Sequence, residues 1–328
     1  MPKLLDSFTL SLLATVTLAS LLPCSGEAAH AFNLIANLAI ALLFFLHGAK
    51  LSREAVLAGI GHWRLHLTVL ACTFALFPAL GLLLKPALSP LVTPELYLGV
   101  LYLCMLPSTV QSSIAFTAMA QGNVPAAICS ATASNLLGIV LTPLLVGWLV
   151  IRHDGAGQGL SSAFDIVYQL LLPFIAGQIA RRWIGRWVDR RKALLKYVDQ
   201  GSILLVVYTA FSAAVISGLW RQTPPQALLG LLAVNGALLG LLLALTTLLG
   251  RRLGFNREDR ITILFCGSKK SLASGVPMAK VIFAGHPVGA IVLPLMLFHQ
   301  IQLMACALLA QRFRRRHAAG GQEKSPAA

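Results

Sequence analysis

Phe265-Cys266-Gly267-Ser268-Lys269-Lys270-Ser271-Leu272-Ala273-Ser274-Gly275-Val276-Pro277 places two lysines and three serines inside an apolar run, 261–284. A lysine at the centre of a membrane helix costs about 2.5 to 3.5 kcal/mol on insertion scales, so it is expected to face a protein interior or a wet cavity. Gly267, Gly275 and Pro277 weaken the helical ladder around it, and a bilayer tolerates a broken helix only where the freed backbone lines a cavity. A second polar cluster, Ser108-Thr109-Val110-Gln111-Ser112-Ser113, follows Leu103-Cys104-Met105-Leu106-Pro107 much as Ser268-Lys269-Lys270-Ser271 follows Phe265-Cys266-Gly267. The broken ends of two such helices present unpaired amides and carbonyls, ligands for anions and cations. One wall of a binding site is therefore expected from Ser108, Thr109, Gln111, Ser112, Ser113 and Thr117, and the other from Ser268, Lys269, Lys270, Ser271 and Ser274. Ser130, Thr132, Ser134 and Asn135 add a third candidate group, for which ordinary helix packing is the competing use.

The carboxylates inform by where they are not. All 11 Asp and Glu fall at the ends of apolar runs, in loops or in the tails, whereas intramembrane sodium sites and proton relays usually rely on a buried acid. Lys269 and Lys270 thus lack an acidic partner in the pattern. Either a lysine gives up its proton to desolvation, or it stays charged against carbonyl dipoles and an anionic substrate. Neighbouring residues on a helix point about 100° apart, so the two lysines are not expected to share one role. The competing reading shifts the run and leaves both near an interface. Gly267-Ser268-Lys269-Lys270-Ser271 lacks the spaced leading glycine of a phosphate loop. A Ser–Lys hydrolase pair is equally excluded, because residues i and i+1 do not face each other on a helix. No enzyme is expected. His299 reads as a hydrogen-bonded packing residue, and the 6 cysteines show no close pairing for a metal site or a disulfide framework.

The elements that must position these residues are membrane helices. With 57% apolar and 11% charged residues, and a mean hydropathy of +0.78, the chain belongs in a bilayer. Apolar runs at 8–22, 31–47, 65–84, 95–118, 124–151, 164–182, 202–219, 226–250, 261–284 and 288–311 predict ten spans. The first run could also be read as a signal peptide, with Lys3 before it and small residues near Pro23. A net charge of +15 would suggest nucleic acid in a soluble protein, but here the basic residues sit in gaps between apolar runs. Twenty of the 26 Lys and Arg fall on one side, in clusters such as 181–196, 251–260 and 312–324; only Lys85, Arg152 and Arg221 fall on the other. The bias places both termini in the cytoplasm, in an inner (cell) membrane, with lipid rather than nucleic acid as partner. Gly155, Gly157, Gly159, Ser161 and Ser162 mark a small-residue linker. The expected organisation is a first five-helix repeat at 1–152, a linker at 153–163, a second, inverted repeat at 164–312 and a basic cytoplasmic tail at 313–328.

Phe44-Phe45-Leu46-His47-Gly48-Ala49-Lys50-Leu51-Ser52, Leu106-Pro107-Ser108-Thr109-Val110-Gln111-Ser112-Ser113 and Phe265-Cys266-Gly267-Ser268-Lys269-Lys270-Ser271-Leu272 carry a family likeness. Over nearly its whole length the chain resembles the bile acid:sodium symporter superfamily, and most of all its cotransporter-seven-like (bacterial YfeH-type) branch. The third motif is specific to the branch; Gly122-Asn123-Val124 and Leu141-Thr142-Pro143 mark the wider superfamily. The resemblance implies an all-α integral membrane fold of ten helices in two inverted five-helix repeats. It also implies a panel domain of spans 1, 2, 6 and 7, a core domain of spans 3 to 5 and 8 to 10, and spans 4 and 9 crossing at their breaks. In sodium-coupled relatives two Na+ ions lie near that crossing, held by a Ser-Asn pair in span 4, hydroxyls in span 5 and a Glu followed by Gln in span 9. Matched residue by residue, the pair becomes Ser112 and Ser113, the span 5 positions become Ala127 and Ala131, and the glutamate has no acidic counterpart near Ser268-Lys269-Lys270-Ser271. No organic cofactor is implied, and the missing acid argues against Na+ coupling. The expected function is secondary transport of a small organic anion by alternating access, with a lysine in place of sodium's charge. Eukaryotic members of the branch are linked to calcium homeostasis, so the alternative is a non-transporting membrane regulator or scaffold of the same fold.

Overall fold

Apolar runs this long satisfy their backbone groups internally only as helices, and among the described residues all regular structure is helical. The computed structural model describes residues 7–51, 60–88, 90–149 and 159–322. Its helices longer than one turn are α1 (Ser7–Leu21), α2 (Gly26–Lys50), α3 (Trp63–Leu83), α4 (Pro94–Met105), α5 (Gln111–Met119), α6 (Val124–Leu149), α7 (Gly159–Arg190), α8 (Lys192–Ile216), α9 (Pro225–Arg252), α10 (Arg257–Gly267), α11 (Leu272–Ile282) and α12 (Val288–Gln322). Six of these, α2, α3, α6, α8, α9 and α12, are long and apolar enough to cross a membrane. Lys3, Arg53, Arg152 and Lys324, used above to orient the chain, lie outside the described residues, as do Gly155 and Gly157 of the expected linker.

Local chemistry sets the helix ends that matter. Thr93 accepts the Leu96 N–H and Pro94 opens α4; Asn256 accepts the Asp259 N–H at 2.8 Å and opens α10. These are the oxygen caps that helix starts require. The runs 95–118 and 261–284 are each split. Pro107 has no N–H and pushes Leu106 out of the helical region, to ψ 155°, so α4 stops and α5 begins only at Gln111. The second interruption, Ser268-Lys269-Lys270-Ser271, lies between α10 and α11, with Ser271 capping α11 through the Ser274 N–H at 3.2 Å.

Three boundaries depart from the apolar runs. The helix α8 begins at Lys192, ten residues before the run 202–219. Its first turns are amphipathic: Leu195 is buried while Lys192 and Lys196 are exposed, a face that hydropathy alone reads as loop. The helix α7 begins at Gly159, and α12 continues to Gln322.

The helices α2 and α7 make the closest crossing because each offers a glycine where the other's backbone arrives. A Cβ at Gly177 would stand 1.9 Å from the Phe45 carbonyl oxygen, and one at Gly48 would stand 2.0 Å from that of Phe174. Small residues that let backbones touch are the usual glue between membrane helices. Gly177→Val is expected to cost about 1 to 3 kcal/mol by overpacking, seen as a lower melting temperature of the detergent-solubilised protein; an unchanged melt would show that the crossing is not tight.

Candidate functional site

The two interruptions lie against one another and exchange bonds. Ser108, four residues after Cys104, donates its hydroxyl to the Cys266 carbonyl at 2.6 Å; Lys270, four residues after Cys266, donates to the Cys104 carbonyl at 2.8 Å. Ser113 reaches the Phe265 carbonyl at 3.1 Å, and the Ser271 N–H meets the Pro107 carbonyl at 2.9 Å. Each break is also served by the long helix that follows it. Ser134 of α6 accepts the Ser108 N–H at 3.0 Å, and Gln302 of α12 accepts the Lys270 N–H at 2.9 Å.

The bonds of Lys270 explain how the crossing is stable. The C-terminal ends of α4 and α10 meet here, and a helix C-terminus carries roughly half a negative charge on its unpaired carbonyls. Left bare in a dry interior, such groups cost several kcal/mol. The Lys270 ammonium has three hydrogens and spends one on each of three carbonyls: Leu106 at 2.6 Å, Cys104 at 2.8 Å and Thr73 at 2.8 Å. Thr73 is free to accept because α3 widens into a π turn over Cys72–Leu76, where the Phe77 N–H turns to Cys72 and the next residue, Pro78, has no N–H to offer. The Phe77 ring lies 3.9 Å from the Lys270 nitrogen and adds a cation–π contact. The three bonds match the three hydrogens of the ammonium form.

Lys269 has a different setting. It too is fully buried, but it donates to the Ser112 hydroxyl at 3.2 Å and sits 4.4 Å and 5.8 Å from the Phe116 and Phe265 ring centres. The charge is thus shielded by aromatic faces one hydroxyl behind the wall of a cavity.

That cavity, of about 730 Å³, is lined by Thr109, Gln111 and Ser112 at the start of α5, by Ser271 and Ser274 at the start of α11, and by Thr132 and Asn135 of α6. Asn135 accepts from Ser274 at 2.7 Å, and Thr109 and Ser112 share a hydrogen bond of 2.8 Å. Both broken helices therefore turn their N-terminal, positive ends toward one space. Ser108, Ser113, Ser268, Lys269 and Lys270 are not part of its lining. They form the packing behind it, with Ser268 bonded back to the Leu264 carbonyl of its own helix at 2.6 Å. The opposite wall was not anticipated from the sequence. His47 and Lys50 of α2, Asp189 of α7, and Lys192, Lys196 and Asp199 of α8 all line the cavity; Lys50 pairs with Asp199, and Asp189 with Arg181 at 3.1 Å. The signal lies in His47-Gly48-Ala49-Lys50, but in a sequence, charges near helix ends read equally as orientation.

A model of the SBF-like CPA transporter family matches residues 6–315. The chain belongs to this family. PA2026 of Pseudomonas aeruginosa is 67% identical over 311 residues, 95% of this chain and 93% of that protein. YfeH of Escherichia coli (strain K12), which carries a symporter name, is 56% identical over 313 residues, 95% of this chain and 94% of that one. Sodium/bile acid cotransporter 7 of Mus musculus is 31% identical over 280 residues, 84% and 82% of the two chains. The protein is accordingly an integral membrane member of a transporter family and not an enzyme.

The residues at the sodium positions suggested by resemblance do not fit that ion. Ala127 and Ala131 have no side-chain oxygen, the Ser113 hydroxyl is directed to the Phe265 carbonyl, and the carbonyls ending α4 accept from an ammonium. Among the described residues no three His, Cys, Asp or Glu side chains converge as a metal site. Lys270→Met should leave three carbonyls unpaired and lower stability by at least about 3 kcal/mol, whereas Lys269→Met, which gives up one hydroxyl contact, should cost about 1 kcal/mol. Melting of the two purified variants side by side checks the order; equal losses would contradict it.

Proposed function

We propose that the protein is a secondary transporter of a small organic anion that works by alternating access without sodium. The observation that carries this reading is the polarity of the broken helices: their N-termini face a cavity also lined by Lys50, Lys192 and Lys196, while the C-terminal carbonyls of α4 close on Lys270 and those of α10 on Ser108 and Ser113. Helix N-termini attract anions, and in discontinuous-helix transporters they are directed at anionic substrate groups. The reading includes ten spans in two inverted repeats, 1–152 and 164–312, joined at 153–163 and followed by the tail 313–328, with panel and core domains and with both termini on the cytoplasmic side of an inner membrane. The matched bonds of Ser108 and Lys270 support the repeat, since each donates to the carbonyl of the other's preceding cysteine.

Alternating access draws support from the one-sidedness of the cavity. Its lining includes α2 only from Phe44 onward, α8 only as far as Ile203 and α11 only as far as Ser274. Further along the same three helices, Lys280 of α11 donates to Asn33 of α2 and Thr209 of α8, both at 2.9 Å. At 1.5 Å per residue, Asn33 lies about 25 Å from Lys50 along α2, and Thr209 about 15 Å from Asp199 along α8. Lys280 thus holds shut the end opposite the cavity, and those bonds must part for access to switch.

Purified protein in liposomes should accumulate radiolabelled monocarboxylates equally well in sodium and in choline; uptake that strictly requires sodium would overturn the sodium-free reading. No uptake of any anion, together with a cellular phenotype that survives Lys269→Ala, would favour the regulator or scaffold instead. Lys280→Ala should raise alkylation of Ala36→Cys, a position buried one turn along α2 from Asn33, several-fold, and unchanged alkylation would remove Lys280 from the gate.

A further inference from the structure

The charged wall of the cavity contains one acid whose bonding is incomplete. Asp199 pairs with Lys50 through Oδ2, and both side chains line the cavity. Its second oxygen, Oδ1, is buried and has no hydrogen-bond partner. A carboxylate oxygen withdrawn from water without a donor is costly. The cavity's other acid, Asp189, is half-exposed and bonded to Arg181.

We propose that Asp199, acting through Lys50, is the site of the coupling proton, so that one anion and one proton enter the cavity together. The proposal rests on the transporter reading above and names the ion that reading leaves open. Lys50 is neutralised by Asp199. An incoming anion competes with Asp199 for the same ammonium, and two anions on one lysine repel. When a proton from solvent forms an O–H bond at Asp199, Lys50 is released and the substrate anion takes the place of the carboxylate. Nothing is oxidised: the proton takes the Lys50–Asp199 pair from zero to +1, and the bound monoanion returns the site as a whole to zero.

Two consequences follow from that balance. Binding of proton and anion is reciprocal, each favouring the other by the same factor, so anion affinity rises as pH falls. Because a proton and a monoanion move together, transport is electroneutral. The titratable groups around Asp199 are His47 and Lys50 on α2, Asp189 and Arg181 on α7, Lys192 and Lys196 on its own helix, and His299 on α12. On α11 there is Lys280, which is bonded further along α8 at Thr209. The portions of α1, α5 and α6 that line the cavity carry none.

The test uses full-length protein in liposomes loaded with a pH-sensitive dye and supplied with radiolabelled benzoate or lactate. An inward proton gradient should drive accumulation, each anion should bring in one proton, and a potential set with potassium and valinomycin should change the rate less than twofold. Asp199→Asn should reduce the protons carried per anion from one to near zero, while Asp199→Glu, which keeps an acid, should restore them. Infrared difference spectra of purified protein give a readout free of transport. Adding benzoate at fixed pH should raise a protonated-carboxyl band that Asp199→Asn lacks. Potential-driven uptake, anion entry without acidification, or a band that survives in Asp199→Asn would each overturn the proposal. Wild-type transport with no proton movement would sink the coupling site alone. No movement of either anion, with no benzoate-induced band, would sink the transporter reading with it.

Discussion

The Lys270 ammonium rests on three main-chain carbonyls deep in the protein, and the arrangement of the broken helices follows from it. Two helices stop in the protein interior, and their C-terminal ends, both negative, are brought together. Each end needs donors for its bare carbonyls: Ser108 and Ser113 serve those of Cys266 and Phe265 in α10, and a cation serves those of α4. Here the cation is covalently part of the chain: Lys270 comes from the second break and takes the carbonyls of Cys104 and Leu106 at the first, plus that of Thr73 in α3. A bound ion can leave, whereas a side chain cannot, so the crossing is fixed in composition whatever the solution contains.

Fixing the negative ends inward sorts the remaining polarity. Each broken helix must then turn its other half's N-terminus away from the crossing, and both arrive at the same cavity beside Asn135 and Thr132. In the function proposed above, this polarity is what draws the anion, before any basic side chain is added. Lys269 reinforces this without entering the lining: held between Phe116 and Phe265 and tied to Ser112, it places a charge behind the hydroxyl wall. The two adjacent lysines thus act on opposite sides of the same problem, one closing carbonyls and one supporting an anion-facing surface.

Much of this was legible from residue types. Two lysines and three serines among glycines and a proline announced a broken helix around a polar interior, and the matching cluster after Pro107 announced its partner. The family likeness was carried by the same motifs. Partner assignments were not legible, because they depend on carbonyls, which every residue has. Only the three-dimensional arrangement shows that Pro78 and a π turn free the Thr73 carbonyl, or that Gln302 clamps the Lys270 backbone through both its N–H and its C=O, each at 2.9 Å. The Lys50–Asp199 pair escaped for a different reason. Hydropathy begins α8 at the apolar run, yet the helix starts ten residues earlier, and its amphipathic first turns bring Asp199 to the cavity.

If the Lys270 ammonium takes the place of a free cation, as proposed above, sodium leaves the folded state unaffected. The melting temperature of the purified protein as sodium replaces choline at constant ionic strength measures this, since a ligand that binds only the folded state must raise stability. A flat line across the titration is the expected result. A saturable, sodium-specific rise would show an ion bound in the folded state and would contradict the account.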